Sequence, residues 1–138
     1  MAVAPNLPRV RTSRWLAHHG PDHLERCTVV AGRHVCRRCL VLYPAALATA
    51  VLVAVLWPGT PNTLTVALMW LLPVPAVADW TLEHLGLVAW SPRRQVAVTL
   101  VAAPALGLAL AAHAAHPFTH TAVVPMLFWT LVCLTAAM

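Results

Sequence analysis

The stretch RRCLVLYPAALATAVLVAVLW, Arg37 to Trp57, decides the fold class. Two arginines and a cysteine open it, and from Cys39 to Trp57 nineteen residues pass without a charge. A helix rises about 1.5 Å per residue, so roughly 17–25 apolar residues cross a hydrocarbon core. A secretory signal peptide instead has a short positive region and only about 7–15 apolar residues. This run starts at residue 39 and is longer, so it reads as a retained span.

The rest of the chain repeats the theme. A second apolar run extends from about Asn62 to Leu85, with bends expected at Pro73 and Pro75, Asp79 and Glu83 at its polar end, and Gly86 as its stop. A third covers Gln95 to Ala112, weakened at Pro104 and Gly107; a fourth covers Thr121 to Met138, with Pro125 in its first turn, where proline is tolerated. The expected architecture is an all-α membrane protein with four transmembrane helices, at about 39–57, 62–85, 95–112 and 121–138. An arm, 1–14, and a Cys/His/Arg-rich segment, 15–38, precede them. Composition agrees: the chain is 60% apolar and 9% charged, with mean hydropathy +0.75. Soluble domains hold about 45–50% apolar and about 25% charged residues. A water-facing enzyme is excluded on that ground.

The few charges are nine arginines, no lysine and four acids, for a net of +5. Such a balance suits phosphate binding, but the placement speaks for topology and against nucleic acid. Arg9, Arg11, Arg14, Arg26, Arg33, Arg37 and Arg38 precede the first span, and Arg93 and Arg94 lie between the second and third. Cytoplasmic segments carry the basic excess. Four spans then place both termini and the second connection in the cytoplasm, in a multi-pass inner-membrane protein. The partners this implies are the bilayer, anionic lipids at the arginine-rich face, and a second copy or another membrane protein.

Chemistry is concentrated at the same face. Cys36-Arg37-Arg38-Cys39 has the two-residue spacing that lets both thiolates face one tetrahedral ion, one half of a zinc site. His18, His19 and Asp79 are the expected completing ligands, with Cys27, Glu83 and His84 as further candidates, and Zn²⁺ is the expected cofactor. Four protein ligands make a closed structural site; three and a water make an open one. Asp79 or Glu83 would then be the catalytic base. The two acids are four apart and share a helical face, so they equally suit ion pairs with Arg26 and Arg38. Two other functions fit the residues: a thiol–disulfide oxidoreductase using Cys36 and Cys39, and an accessory or assembly subunit of a larger membrane complex. His113, His116 and His120, near Pro117, read as polar residues of the last connection.

In order and approximate spacing, His19, Glu25-Arg26-Cys27, Gly32, Cys36-Arg37-Arg38-Cys39 and Tyr43, followed by Asp79, Glu83, Gly86, Ser91 and Arg94, form a recognisable series. It resembles a family of small bacterial membrane proteins, domain-of-unknown-function (DUF) family 2085, over residues 18 to 95. The chain departs from that pattern at His18, where the family tends to have Cys, and at Cys27, where Ser is usual. Val41 stands for a Gly, and Glu83 for a common Gln. The resemblance implies a multi-span membrane protein with a cytoplasmic Cys/His cluster, and it lends no settled activity.

Overall fold

The apolar run after Arg38 forms a helix, α1 (Arg37–Leu56), in the computed structural model of the chain. The structure describes residues 11–12, 21–57 and 61–136, with side chains at 24–57, 61–132 and 135. Four more helical segments follow: α2 (Thr63–Leu71), α3 (Val74–His84), α4 (Pro92–Ala115) and α5 (His120–Ala136). Asn62 starts α2 by accepting the Thr65 amide at 2.9 Å. The break at Leu72-Pro73 separates α2 from α3 where the prolines were expected to bend one helix. Proline has no N–H to continue the ladder, and its ring crowds the preceding turn. Gly86, at φ +69°, then ends α3 in a conformation that costs glycine little.

Ser91 and Pro92 start α4 earlier than hydropathy suggests. The Ser91 hydroxyl accepts the Arg94 amide at 3.5 Å, and Pro92 occupies the first turn, where its missing N–H costs nothing. The helix therefore takes in Arg93 and Arg94, which an apolar-run reading leaves outside. Among the described residues three stretches are long and apolar enough to cross a membrane: Arg37–Leu56, Thr63–His84 and Pro92–Ala115, with mean hydropathies of 2.4, 1.4 and 1.9. The fourth expected span appears as α5, 17 residues as described, or about 26 Å, a little short of a core about 30 Å thick.

The chain divides into two units, Met1–Leu40 and Val41–Met138. In the second, α4 is the central helix, packed against α2, α3 and α5. Its buried positions are mostly small, including Ala103, Ala105, Gly107, Ala109 and Ala112. Small side chains let helix backbones approach closely, the usual device where lipid removes any hydrophobic drive for helices to associate. Met69, Ala109, Ala112 and Ala122 form the core, with Leu108 and Met126 packed on it. Trp70 of α2 meets Phe128 of α5 with ring centroids 5.1 Å apart.

Helix α1 comes close to the α4 backbone at Gly107. A Cβ on Gly107 would lie 2.5 Å from the Ala46 carbonyl oxygen and 2.6 Å from Thr49 Cβ. Both neighbours belong to a helix body and cannot swing aside. Gly107→Val is expected to destabilise the helical unit by roughly 1–3 kcal/mol through overpacking, measured as a lower melting temperature in detergent. Leu100→Val, at a position 51% exposed, should leave it unchanged.

The first unit departs from an all-helical reading. A 3₁₀ turn, Pro21–Arg26, leads into a three-stranded sheet of β1 (Arg11–Thr12), β2 (Cys27–Val30) and β3 (Arg33–Cys36), in the order β1-β3-β2. β1 falls within the stretch read as an arm and pairs with β3 in parallel. The β-branched run Thr28-Val29-Val30 favours the extended backbone. Ala31 and Gly32, at φ +50° and +72°, form the two-residue turn whose twist matches an antiparallel hairpin.

Candidate functional site

The hairpin fixes where the thiols go. Its register sets Cys27 opposite Cys36, with Thr28 opposite Val35, Val29 opposite His34, and Val30 opposite Arg33. Cys39 follows in the first turn of α1, and its thiol is in hydrogen-bonding contact with Cys36. Cys36 is fully buried and Cys27 is 6% exposed. Arg37 joins the helix start to β2, its Nη2 donating to the Cys27 carbonyl at 3.2 Å. Three thiols thus collect at the open end of one hairpin. Cys27, a subsidiary candidate from the sequence, is central to the group.

Burial pushes the Cys27 thiol above its ordinary 9.0, and the neighbouring Cys36 adds to the shift; Arg37 pulls the other way without reversing it. At Cys27, desolvation of the charged form outweighs Arg37. Because the fold prefers the protonated thiol, its contribution to stability is complete below pH 9.0 and is lost as pH rises toward the folded value. In the chelator-treated chain, Cys27 is expected to react with iodoacetamide more slowly than in the unfolded chain at pH 8. Comparable rates would show that it is not shielded.

His18 and His19 lie outside the described residues. Among the described residues no three His, Cys, Asp or Glu side chains close on a common point as an ion would require. Arg26 lies 3.7 Å from Glu25, and Arg38 is half-buried.

The other candidates belong to the helical unit. Asp79, 8% exposed, takes the Nε–H of Arg94 on its Oδ1, and Arg94 Nη2 also donates to the Ala89 carbonyl at 2.8 Å. One guanidinium therefore ties α3, the connecting loop and the first turn of α4. The sequence reading missed Arg94 as a partner of Asp79. One turn along α3, both Glu83 carboxylate oxygens are shielded from solvent. His84 is exposed and held locally, its Nδ1 2.9 Å from the Trp80 carbonyl and its ring tilted against that of Trp80 with centroids 4.1 Å apart. On α4, Gln95 and Thr99 are buried at 2% and 4%, and Thr99 returns its hydroxyl to the Gln95 carbonyl at 2.6 Å. His113 Nδ1 accepts the Phe118 amide at 3.4 Å, which fits a polar residue closing the last connection.

No family model, curated protein or solved structure matches the chain. What it does has to be read from its own residues.

Proposed function

We propose that the chain is a small four-span inner-membrane protein whose N-terminal segment holds a metal ion, Zn²⁺ first, at the cytoplasmic face. Cys36 and Cys39 supply the core of the site, with further donors from Cys27 and from His18 or His19. What carries this reading is the gathering of three thiols at one end of the hairpin. Thiolate sets of this kind favour zinc over the hard cations that oxygen ligands select. Asp79, engaged with Arg94, acts as an anchor between helices, and no general base is assigned. The resemblance to family 2085 agrees with this arrangement. Both termini and the connection between α3 and α4, with Arg93 and Arg94 in the first turn of α4 beside it, face the cytoplasm on the arginine distribution.

Metal analysis of the chain purified in mild detergent tests the proposal, which expects about one zinc per chain for a single four-ligand site. Purified protein free of zinc, iron and copper, and unable to take up added Zn²⁺, refutes it. Thiol–disulfide exchange is the poorer fit, because the arginine distribution puts the Cys36/Cys39 pair on the cytoplasmic side, where disulfides are generally transient. One observation favours a second reading, that of an accessory subunit. Only 6% of the apolar window of α1 is buried against 39% for α4, which leaves α1 a broad face for lipid or a neighbouring helix. Co-purification of one stoichiometric membrane partner would support that role alongside the metal.

A further inference from the structure

The hairpin carries one more donor at the same place, and it lies on the sheet face that bears two of the thiols. Side chains alternate between faces along a strand, and directly opposed residues share a face. Cys27 and Val29 on β2, and His34 and Cys36 on β3, therefore project to one side. Thr28, Val30, Arg33 and Val35 project to the other.

The spacing on that face follows from the turn. In a two-residue hairpin the closing pair, Val30 and Arg33, exchanges backbone hydrogen bonds, and the pairs alternate from there. Val29–His34 and Cys27–Cys36 are then both non-hydrogen-bonded pairs, the kind whose Cα atoms approach to about 4.5 Å and whose side chains come closest. His34 and Cys36 are two apart on one strand. His34 and Cys27 are diagonal neighbours, about 7–8 Å between Cα atoms. Backbone separations of this size allow a common ion at about 2.0–2.3 Å from each donor once the side chains turn toward it. Cys39, on the next turn of chain and already in contact with Cys36, supplies a donor from α1.

A separate observation points to His34 itself. Its Nδ1 is shielded from solvent and has no hydrogen-bond partner among the described residues. Burying a polar atom without a partner is unfavourable, and coordination of an ion is one way to satisfy it. From the hairpin register, the cysteine contact and this orphaned nitrogen, we infer that His34 is the fourth ligand of a Cys27–His34–Cys36–Cys39 zinc site. The inference rests on the metal reading above and specifies its ligand set: the closed site is contained in residues 27 to 39 and does not need His18, His19 or Asp79.

Closure requires side-chain rotation, since the donors do not yet meet at one point; staggered alternatives exist about each χ1. Three thiolates and a neutral imidazole around Zn²⁺ leave one net negative charge. Arg37, which interacts with the Cys27 thiol and binds its carbonyl, offsets that charge. With four protein ligands the site is structural, joining the hairpin to the first turn of α1.

The full chain in detergent, loaded with Zn²⁺ or with Co²⁺ as its spectroscopic substitute, provides the test. The Co²⁺ spectrum is expected to be that of a tetrahedral ion with three thiolates and one nitrogen. His34→Ala should weaken Zn²⁺ binding at least about 100-fold, the upper end of losses seen for outer-shell partners. His34→Cys should retain the ion and raise the sulfur-to-cobalt charge-transfer intensity by about a third, from three thiolates to four. A His18→Ala/His19→Ala double variant should bind as the parent does. Parent chain that binds zinc while His34→Ala binds equally well, or while the His18/His19 variant alone loses it, overturns the ligand assignment and leaves the metal reading standing. Parent chain that binds neither ion overturns both. Should His34→Ala fail to fold, His34→Cys decides alone: lost metal, or a spectrum without the added thiolate, refutes the assignment.

Discussion

Cys36→Ser/Cys39→Ser protein is expected to purify without the zinc that is expected of the parent chain. Removing two thiolates leaves too few soft donors to hold the ion, whichever histidine completes the set. The effect should extend beyond metal content. A small sheet with two short strands and one strand of two residues has little apolar surface to bury, and isolated hairpins are marginal in water. Structural zinc contributes roughly 10–16 kcal/mol of apparent binding free energy to domains of that kind, coupled to their folding. Hydrogen exchange should therefore speed up over residues 27–36 in the double variant, while the helical far-ultraviolet signal from α1 to α5 stays close to that of the parent. Full retention of metal by the variant sinks the site. Loss of metal with unchanged exchange in the hairpin would instead show that the sheet holds itself together without an ion.

The helices were legible in the sequence because one physical requirement sets them. A span must satisfy its backbone internally and cover it with apolar side chains, so the run after Arg38, the bend at Pro73 and the stop at Gly86 all announce themselves. The hairpin was hidden by its own composition. Cys27-Thr28-Val29-Val30 is short, lies in a segment crowded with His, Cys and Arg, and turns through Ala31-Gly32 where Asn-Gly would have been the plainer signal. A β-branched run, a glycine and then Arg33 to Cys36 were the available clues. Missing the strand period hid the face that Cys27, His34 and Cys36 share. Arg94 was misread for a different reason. Two adjacent arginines in a connection carry a topology signal, and that reading leaves no cause to look for a partner 15 residues back. Ser91-Pro92, a helix start written in capping residues, shows Arg94 to be inside a helix and within reach of α3.

Arg94→Ala is expected to be the most damaging single charge removal in the helical unit. The Asp79 side chain is 6% exposed and that of Arg94 34%, so the variant strips a guanidinium from a carboxylate that stays out of water. Breaking a buried pair by removing one partner costs about 3–5 kcal/mol; the partial exposure of Arg94 argues for roughly 3 kcal/mol here, because solvent screens part of the attraction. The same change frees the Ala89 carbonyl and loosens the loop between α3 and α4. Arg94→Lys should recover only part of the loss, since an ammonium cannot serve Asp79 and Ala89 through separate, fixed donors as the planar guanidinium does. Thermal unfolding in detergent reads the size of the effect, and metal content read on the same samples separates two roles for the acid. As an anchor, Asp79 can be changed to Asn, or lose Arg94, with lower stability and an undiminished zinc count per folded chain. As a ligand, Asp79→Asn would shed the ion while Arg94→Ala kept it. That second pattern would move the metal site out of the hairpin and into contact with the helices.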